Sequence, residues 1–218
     1  SLLSKPYFYP KLSATVYAVA LFAVSSSAAG FTIEDGETAT TMQDPVNGET
    51  STINSGGAIT TSANPAAVYK GSASDVTVIN NGAITQTQWG RHGIYFYSSA
   101  GGSTNTVTNN GTITLEGRGS AGYLFYSGTG NDIMINNGTI TAEGNTSYGM
   151  FAANQALGST TLINNGTITM EDYSSYGIYA RTTYGTHTVT NSGTITTSGS
   201  NSHGIYHRGG SGTTTITN

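Results

Sequence analysis

The sequence predicts an all-β protein, a single-stranded β-helix or β-solenoid, with about 27 residues per coil and three short strands per coil. Three observations carry that prediction. First, the stretch Asn109-Asn110-Gly111-Thr112-Ile113-Thr114 recurs: copies begin at Asn54, Asn80, Asn109, Asn136, Asn164 and Asn191, and Asn218 stands where another would open. Each copy starts roughly 26–29 residues after the one before, the scale of one unit in a stacked array. Second, each unit divides into three extended pieces rich in β-branched and aromatic residues and bounded by Gly, Asn and Ser. Third, each piece keeps an apolar residue at one fixed place, so stacking the units produces continuous columns.

Residues 1–29 have the order of an export signal. Lys5 and Lys11 precede an apolar run from Val16 to Val24, and the small residues Ser27 and Ala29 set cleavage after Ala29. That run is shorter than the roughly 20 residues needed to span a bilayer. The alternative is a terminal strand of the solenoid supplied by Val16, Val19 and Phe22. Residues 30–53 hold five of the eleven acidic residues, with Phe31, Ile33, Val46 and Ile53 too irregularly spaced for a full unit. This segment is expected to form a degenerate coil that covers the open end of the stack, because an exposed solenoid end is an unpaired β edge.

From residue 54 to 218 about six coils are expected. The first piece contributes the column Ile59, Ile84, Ile113, Ile140, Ile168, Ile195; the second contributes Val68, Ile94, Tyr123, Met150, Ile178, Ile205. The third contributes Val78, Val107, Met134, Leu162, Val189, Ile216. Two-residue alternation turns the threonines beside each central Ile outward. The extra residues of the longest step, Asn80 to Asn109, fall between Tyr97 and Thr106 and predict a bulging loop. At the Asn-Asn-Gly corner, Gly is expected to supply positive φ for a sharp turn. Asn54, Asn80, Asn109, Asn136, Asn164 and Asn191 are expected to bond through their amides along the stack.

Composition removes several functions. Only 8% of residues are charged, with seven Lys plus Arg against eleven Asp plus Glu, so there is no basic face for a phosphate backbone and nucleic acid is not an expected partner. Absence of Cys excludes a disulfide framework and a cysteine nucleophile. No cofactor is expected.

The candidate contact surface is aromatic. Immediately before the Gly of the second piece stand His92, Ala121, Tyr148, Tyr176 and His203; immediately after its buried position stand Tyr69, Tyr95, Leu124, Phe151, Tyr179 and Tyr206. Both sets are expected to face outward. Such a ribbon stacks on sugar faces or on another copy, or it stabilises the sheet through neighbouring pairs alone. Glu116, Glu143 and Glu171 form a second outward column, which must be solvated or share a cation; calcium is the candidate, and Arg118 is close in sequence to Glu116. Glu116 and Glu143 could also meet the separation of about 5–9 Å used by carboxylate pairs in glycosidases, but they lie in a regular ladder without flanking loops that form a cleft. His203 and His207 share a face only if no bulge intervenes.

Tandem Asn-Asn-Gly-Thr-Ile-Thr units followed by Gly-Ile-Tyr, downstream of an export signal, resemble the passenger region of bacterial autotransporters and similar large repeat adhesins. That resemblance implies a protein at the bacterial cell surface or outside the cell, serving attachment or autoaggregation. It also implies a membrane barrel following such a passenger, which these residues do not include. Its implied partners are a host glycan, a surface protein or another copy. A carbohydrate-active lyase or glycosidase and a self-assembling fibre subunit are the alternatives.

Overall fold

The computed structural model describes residues 29–98 and 101–218. All but the last residue of the segment read as an export signal lie outside these bounds. The described residues form strands linked by turns, without a helix. They wind through three parallel sheets, here numbered by the pieces that build them. Sheet 1 has seven strands, from Thr38–Ala39 to Thr194–Thr197; sheet 2 has six, from Ala66–Gly71 to His203–Gly209; sheet 3 has eight, from Thr32–Ile33 to Thr213–Thr217. Each strand pairs with its equivalent one coil on. Thus Ile113 pairs with Ile84 on one side and Ile140 on the other. The structure is a parallel β-solenoid of about six turns.

Alternation gives each sheet an inner face, and all three apolar columns occupy it. Ile84, Ile113, Ile140 and Ile168 are fully buried, as are Ile94, Tyr123, Met150 and Ile178 from sheet 2. Full burial of such a side chain is worth about 1.5–3 kcal/mol. Ile195 in the last coil is only partly covered, and Ile216 is 45% exposed, since no coil lies beyond them here. A second inner position follows in two sheets: Leu115, Ala142 and Met170 in sheet 1, and Phe96, Phe125, Ala152 and Ala180 in sheet 2. Phe96 and Phe125 stack inside the coil with centroids 5.2 Å apart and planes 8° apart.

The glycine of Gly-Ile-Tyr has a packing reason. A β-carbon at Gly122 would stand 2.8 Å from Ile140 Cγ2 and 2.6 Å from the carbonyl oxygen of Gly149. Both Gly122 and Tyr123 therefore face inward in succession, a bulge that restores Ala121 and Leu124 to the outer face.

Two expectations are corrected at the asparagine corner. Gly82, Gly111, Gly138, Gly166 and Gly193 do not have positive φ; a β-carbon on each would collide with the glycine carbonyl of the preceding coil. Close stacking of backbone, not handedness of the turn, demands glycine there. Asn54 is also outside the ladder: Ile53 occupies the register of Asn80, and the Asn54 amide instead donates to the Glu34 carboxylate at 2.7 Å. From Asn80 onward the ladder is continuous. Each Nδ2 donates to the next Oδ1 at 2.7–2.8 Å, through Asn109, Asn136, Asn164 and Asn191 to Asn218. A second, exposed ladder runs beside it through Asn81, Asn110, Asn137 and Asn165 at 2.9 Å.

Residues 30–53 follow the same path with two-residue strands, Thr32–Ile33 and Thr38–Ala39, a single bridge from Gln43 to Val68, and then the four-residue strand Thr50–Ile53. Their acidic groups make local bonds: Lys70 pairs with Asp44 at 2.9 Å, and the Glu34 N–H donates to the Glu37 carboxylate at 2.9 Å.

Candidate functional site

Sheet 2 places the aromatic residues on its outer face because Gly93, Gly122, Gly149, Gly177 and Gly204 absorb the break in alternation. Tyr148, Phe151, Tyr176 and Tyr179 come together, with Tyr148 and Tyr176 stacked at 5.4 Å and Phe151 and Tyr179 in a tilted contact at 4.9 Å. Tyr206 continues the stack onto Tyr179 at 5.5 Å, and His203 lies 5.5 Å from Tyr176. At the other end Tyr69, Tyr95 and His92 make a smaller group. Leu124 interrupts the column between them. Tyr126, from the neighbouring outer position, closes that gap with centroids 6.1 Å from Tyr95 and 6.0 Å from Phe151.

The ribbon is thus outward-facing yet largely covered by itself. Tyr95, Tyr148, Phe151, Tyr176 and Tyr206 are half-buried, Tyr179 is 9% exposed, and Ala121 and Leu124 are buried. Mutual packing removes ring faces from water while leaving a continuous apolar strip, each pair contributing about 0.5–1.5 kcal/mol beyond its buried area. Burial raises the Tyr95 and Tyr148 hydroxyl pKa values, with neighbouring tyrosines adding to the effect. Burial holds His92 down to about 4, helped by Arg91. Its Nδ1 accepts the Ala121 N–H at 3.1 Å, which requires that nitrogen unprotonated. No strand of sheet 2 carries a carboxylate, while Arg181 and Arg208 stand exposed in register on its outer face.

Glu116, Glu143 and Glu171 occupy equivalent exposed positions just after the strands of sheet 1. The expected relief of Glu116 by Arg118 is replaced by a cation–π contact: the Arg118 guanidinium lies 3.8 Å from the centroid of Trp89, whose surface is 60% exposed. Among the described residues no group of three or more His, Asp or Glu is placed to hold a metal. His203 and His207 fall on opposite faces, His203 against Tyr206 and His207 in register with buried Ala180, because the bulge at Gly204 separates them.

Two further columns escaped sequence reasoning. Buried Ser120, Ser147 and Ser175 form a ladder at the corner between sheets 1 and 2, each backbone N–H donating to the next serine Oγ at 3.1–3.3 Å. Their recurrence before every Ala or Tyr and Gly was a usable signal. The inner column Asn105, Asp132, Thr160 and His187 is buried and polar, with the Asn105 amide donating to Asp132 at 2.8 Å. Here residue type changes at each coil, so nothing recurred to be read. Tyr126 had a partial signal, since Tyr97 precedes it by one coil.

A parallel three-sheet solenoid with polar ladders inside its corners and an aromatic strip along one outer face is the class of protein these features define. Residues 22–218 match the family described as the BigA third pectate lyase-like domain, and the chain belongs to that family. No curated protein and no solved structure matches the chain.

Proposed function

We propose that this chain is part of an exported β-solenoid displayed on a bacterial surface, in which the coils provide reach and the aromatic strip of sheet 2 provides contact with glycan. The observation that carries the reading is the unbroken chain of rings from Tyr69 to Tyr206 on an outer face free of carboxylates. The ring edges left open along such a strip offer apolar surface to the C–H faces of sugars. The family's description as a BigA domain and the likeness to autotransporter passengers support surface display. Attachment is favoured over catalysis because Glu116, Glu143 and Glu171 are exposed members of a regular column and Arg118 is engaged with Trp89.

The test is attachment of the purified chain to immobilised cell-surface glycans, compared with a Tyr148→Ser, Tyr176→Ser, Tyr179→Ser variant. Reduced attachment with an unchanged β circular-dichroism spectrum supports the strip as a contact surface. Unchanged attachment leaves the rings as packing alone and removes the reading.

A further inference from the structure

After Asn80 the repeat lengthens at two steps, Asn80 to Asn109 and Asn136 to Asn164, and both departures map to the corner between sheets 2 and 3. Strand Ala121–Ser127 reaches Asn131–Asn136 through three residues, whereas Tyr148–Asn154 reaches Ser159–Asn164 through four, and His92–Ser98 reaches Thr104–Asn109 through five. In solenoids, insertions gather on one face, often the binding face. The longer Gln155–Gly158 link stands beside the short link at Gly128–Gly130. A notch of about 230 Å³ is left between them, lined by Tyr97, Tyr126, Ser98, Thr129, Gln155 and Ala156.

Tyr126 belongs to both features: it lines the notch and bridges Tyr95 to Phe151 in the aromatic strip. Tyr97 stands at the notch with 48% of its surface exposed. The lining contains no charged side chain, and its hydroxyls and carboxamide can both donate and accept. Ring surface beside neutral donors and acceptors is suited to a sugar, whose C–H face is apolar and whose rim is hydroxylated. The volume is below the roughly 300–1,000 Å³ of pockets for drug-sized ligands, which limits the occupant to about one ring.

We propose that this notch is a binding site for a single neutral hexopyranose, the unit of a glycan that leaves the aromatic strip at Tyr126. The inference rests on the glycan-contact reading given above for the strip, but it is tested separately. Charge excludes a uronate from the notch as the preferred unit, since no cation lines it.

The experiment follows the ring signals of carbon-13-labelled tyrosine in the full chain during titration with D-glucose, D-galactose, D-mannose and N-acetyl-D-glucosamine, with D-glucuronate as the charged control. At least one neutral sugar is expected to shift Tyr97 and Tyr126 saturably, and glucuronate to leave them in place. Ala156→Trp, on a partly exposed loop, fills the notch and is expected to weaken that response at least roughly tenfold. Thr129→Val is the milder variant, removing one hydroxyl at nearly constant volume. Absence of any shift at Tyr97 and Tyr126, or equal affinity in Ala156→Trp, overturns the proposal. Cellohexaose and maltohexaose report on the strip: if they shift Tyr148 and Tyr179 but not Tyr126, the notch proposal falls and the strip reading stands. If monosaccharides shift Tyr126 while neither hexaose affects Tyr148 or Tyr179, the notch stands and the strip reading falls.

Discussion

Gly122 lies under Ile140 of the following coil so closely that a β-carbon on Gly122 would stand 2.8 Å from the Ile140 Cγ2 methyl. This contact joins the outer and inner designs of the solenoid. It lets sheet 2 approach the isoleucine column, and the bulge it permits turns residues on both sides of the buried position outward.

Gly122→Ala should therefore be costly although alanine is the smallest change available. The methyl meets a branched side chain and the Gly149 carbonyl at once, and overpacking of this kind costs about 1–3 kcal/mol. Gly204→Ala is the control, because its nearest neighbour, Ile195 Cγ2, would be 3.8 Å away. Thermal unfolding followed by circular dichroism should show a clear fall in Tm for the first and little change for the second. Equal effects would mean that backbone freedom, not the isoleucine contact, sets the requirement.

The two asparagine ladders should differ in worth. Asn136→Ala removes the acceptor of Asn109 and the donor to Asn164 within a buried corner. Leaving buried amide groups unpaired costs about 1–3 kcal/mol each, so a loss of roughly 2–6 kcal/mol is expected for the two. Asn137→Ala breaks the parallel but exposed ladder, where water replaces the lost partners, and should change stability by less than about 0.5 kcal/mol. Chemical denaturation of the two variants decides; comparable losses would refute a buried-ladder mechanism.

Acid should weaken the aromatic end near His92. Its folded-state pKa of about 4 lies below the ordinary value of 6.5, so the unfolded chain binds more protons between those values. Stability is then full above about pH 6.5 and falls as pH drops toward 4, by no more than about 3 kcal/mol from this group. His187, also lowered by burial, acts in the same direction. His92→Phe should flatten the dependence of Tm on pH between pH 7 and 4.5. An identical slope in the variant would show that other groups carry it.

The glutamate column should be mildly unfavourable at low salt. Glu143 sits between Glu116 and Glu171 at successive strand spacings of about 4.8 Å, so Glu143→Gln relieves two like-charge contacts. A gain of a few tenths of a kcal/mol is expected, shrinking as salt screens the pair. Millimolar calcium should leave Tm of the parent chain unchanged. A calcium-dependent rise abolished by Glu143→Gln would instead identify a bridging cation.

What was readable in advance follows from periodicity. Ile113 and its equivalents, the Asn109 ladder and the outward placement of Tyr148, Tyr176 and Tyr179 recur at a near-constant step, and a stacked fold converts such a step directly into contact. Trp89 and Arg118 were not readable as partners, because residue type does not repeat at the corner where their coils lie side by side. Tyr126 was only partly readable: Tyr97 precedes it in register, but its bridge from Tyr95 to Phe151 depends on how rings meet between neighbouring coils. Asn54 shows the opposite failure, a matching residue placed outside the ladder because the two extra residues of its corner shift the register to Ile53.

The sequence by itself determined the architecture: a repeat with one β-branched or apolar residue per piece can bury its columns only by stacking, and glycine and asparagine mark where it turns. Only the tertiary structure decided why those glycines are needed, where the ladder begins, and how much of the aromatic strip remains open. These are matters of distance between coils. A β-carbon at Gly111 is excluded by the Gly82 carbonyl, and the exposure of Tyr179 is set by Phe151 and Tyr206, which pack on either side of it from the neighbouring coils.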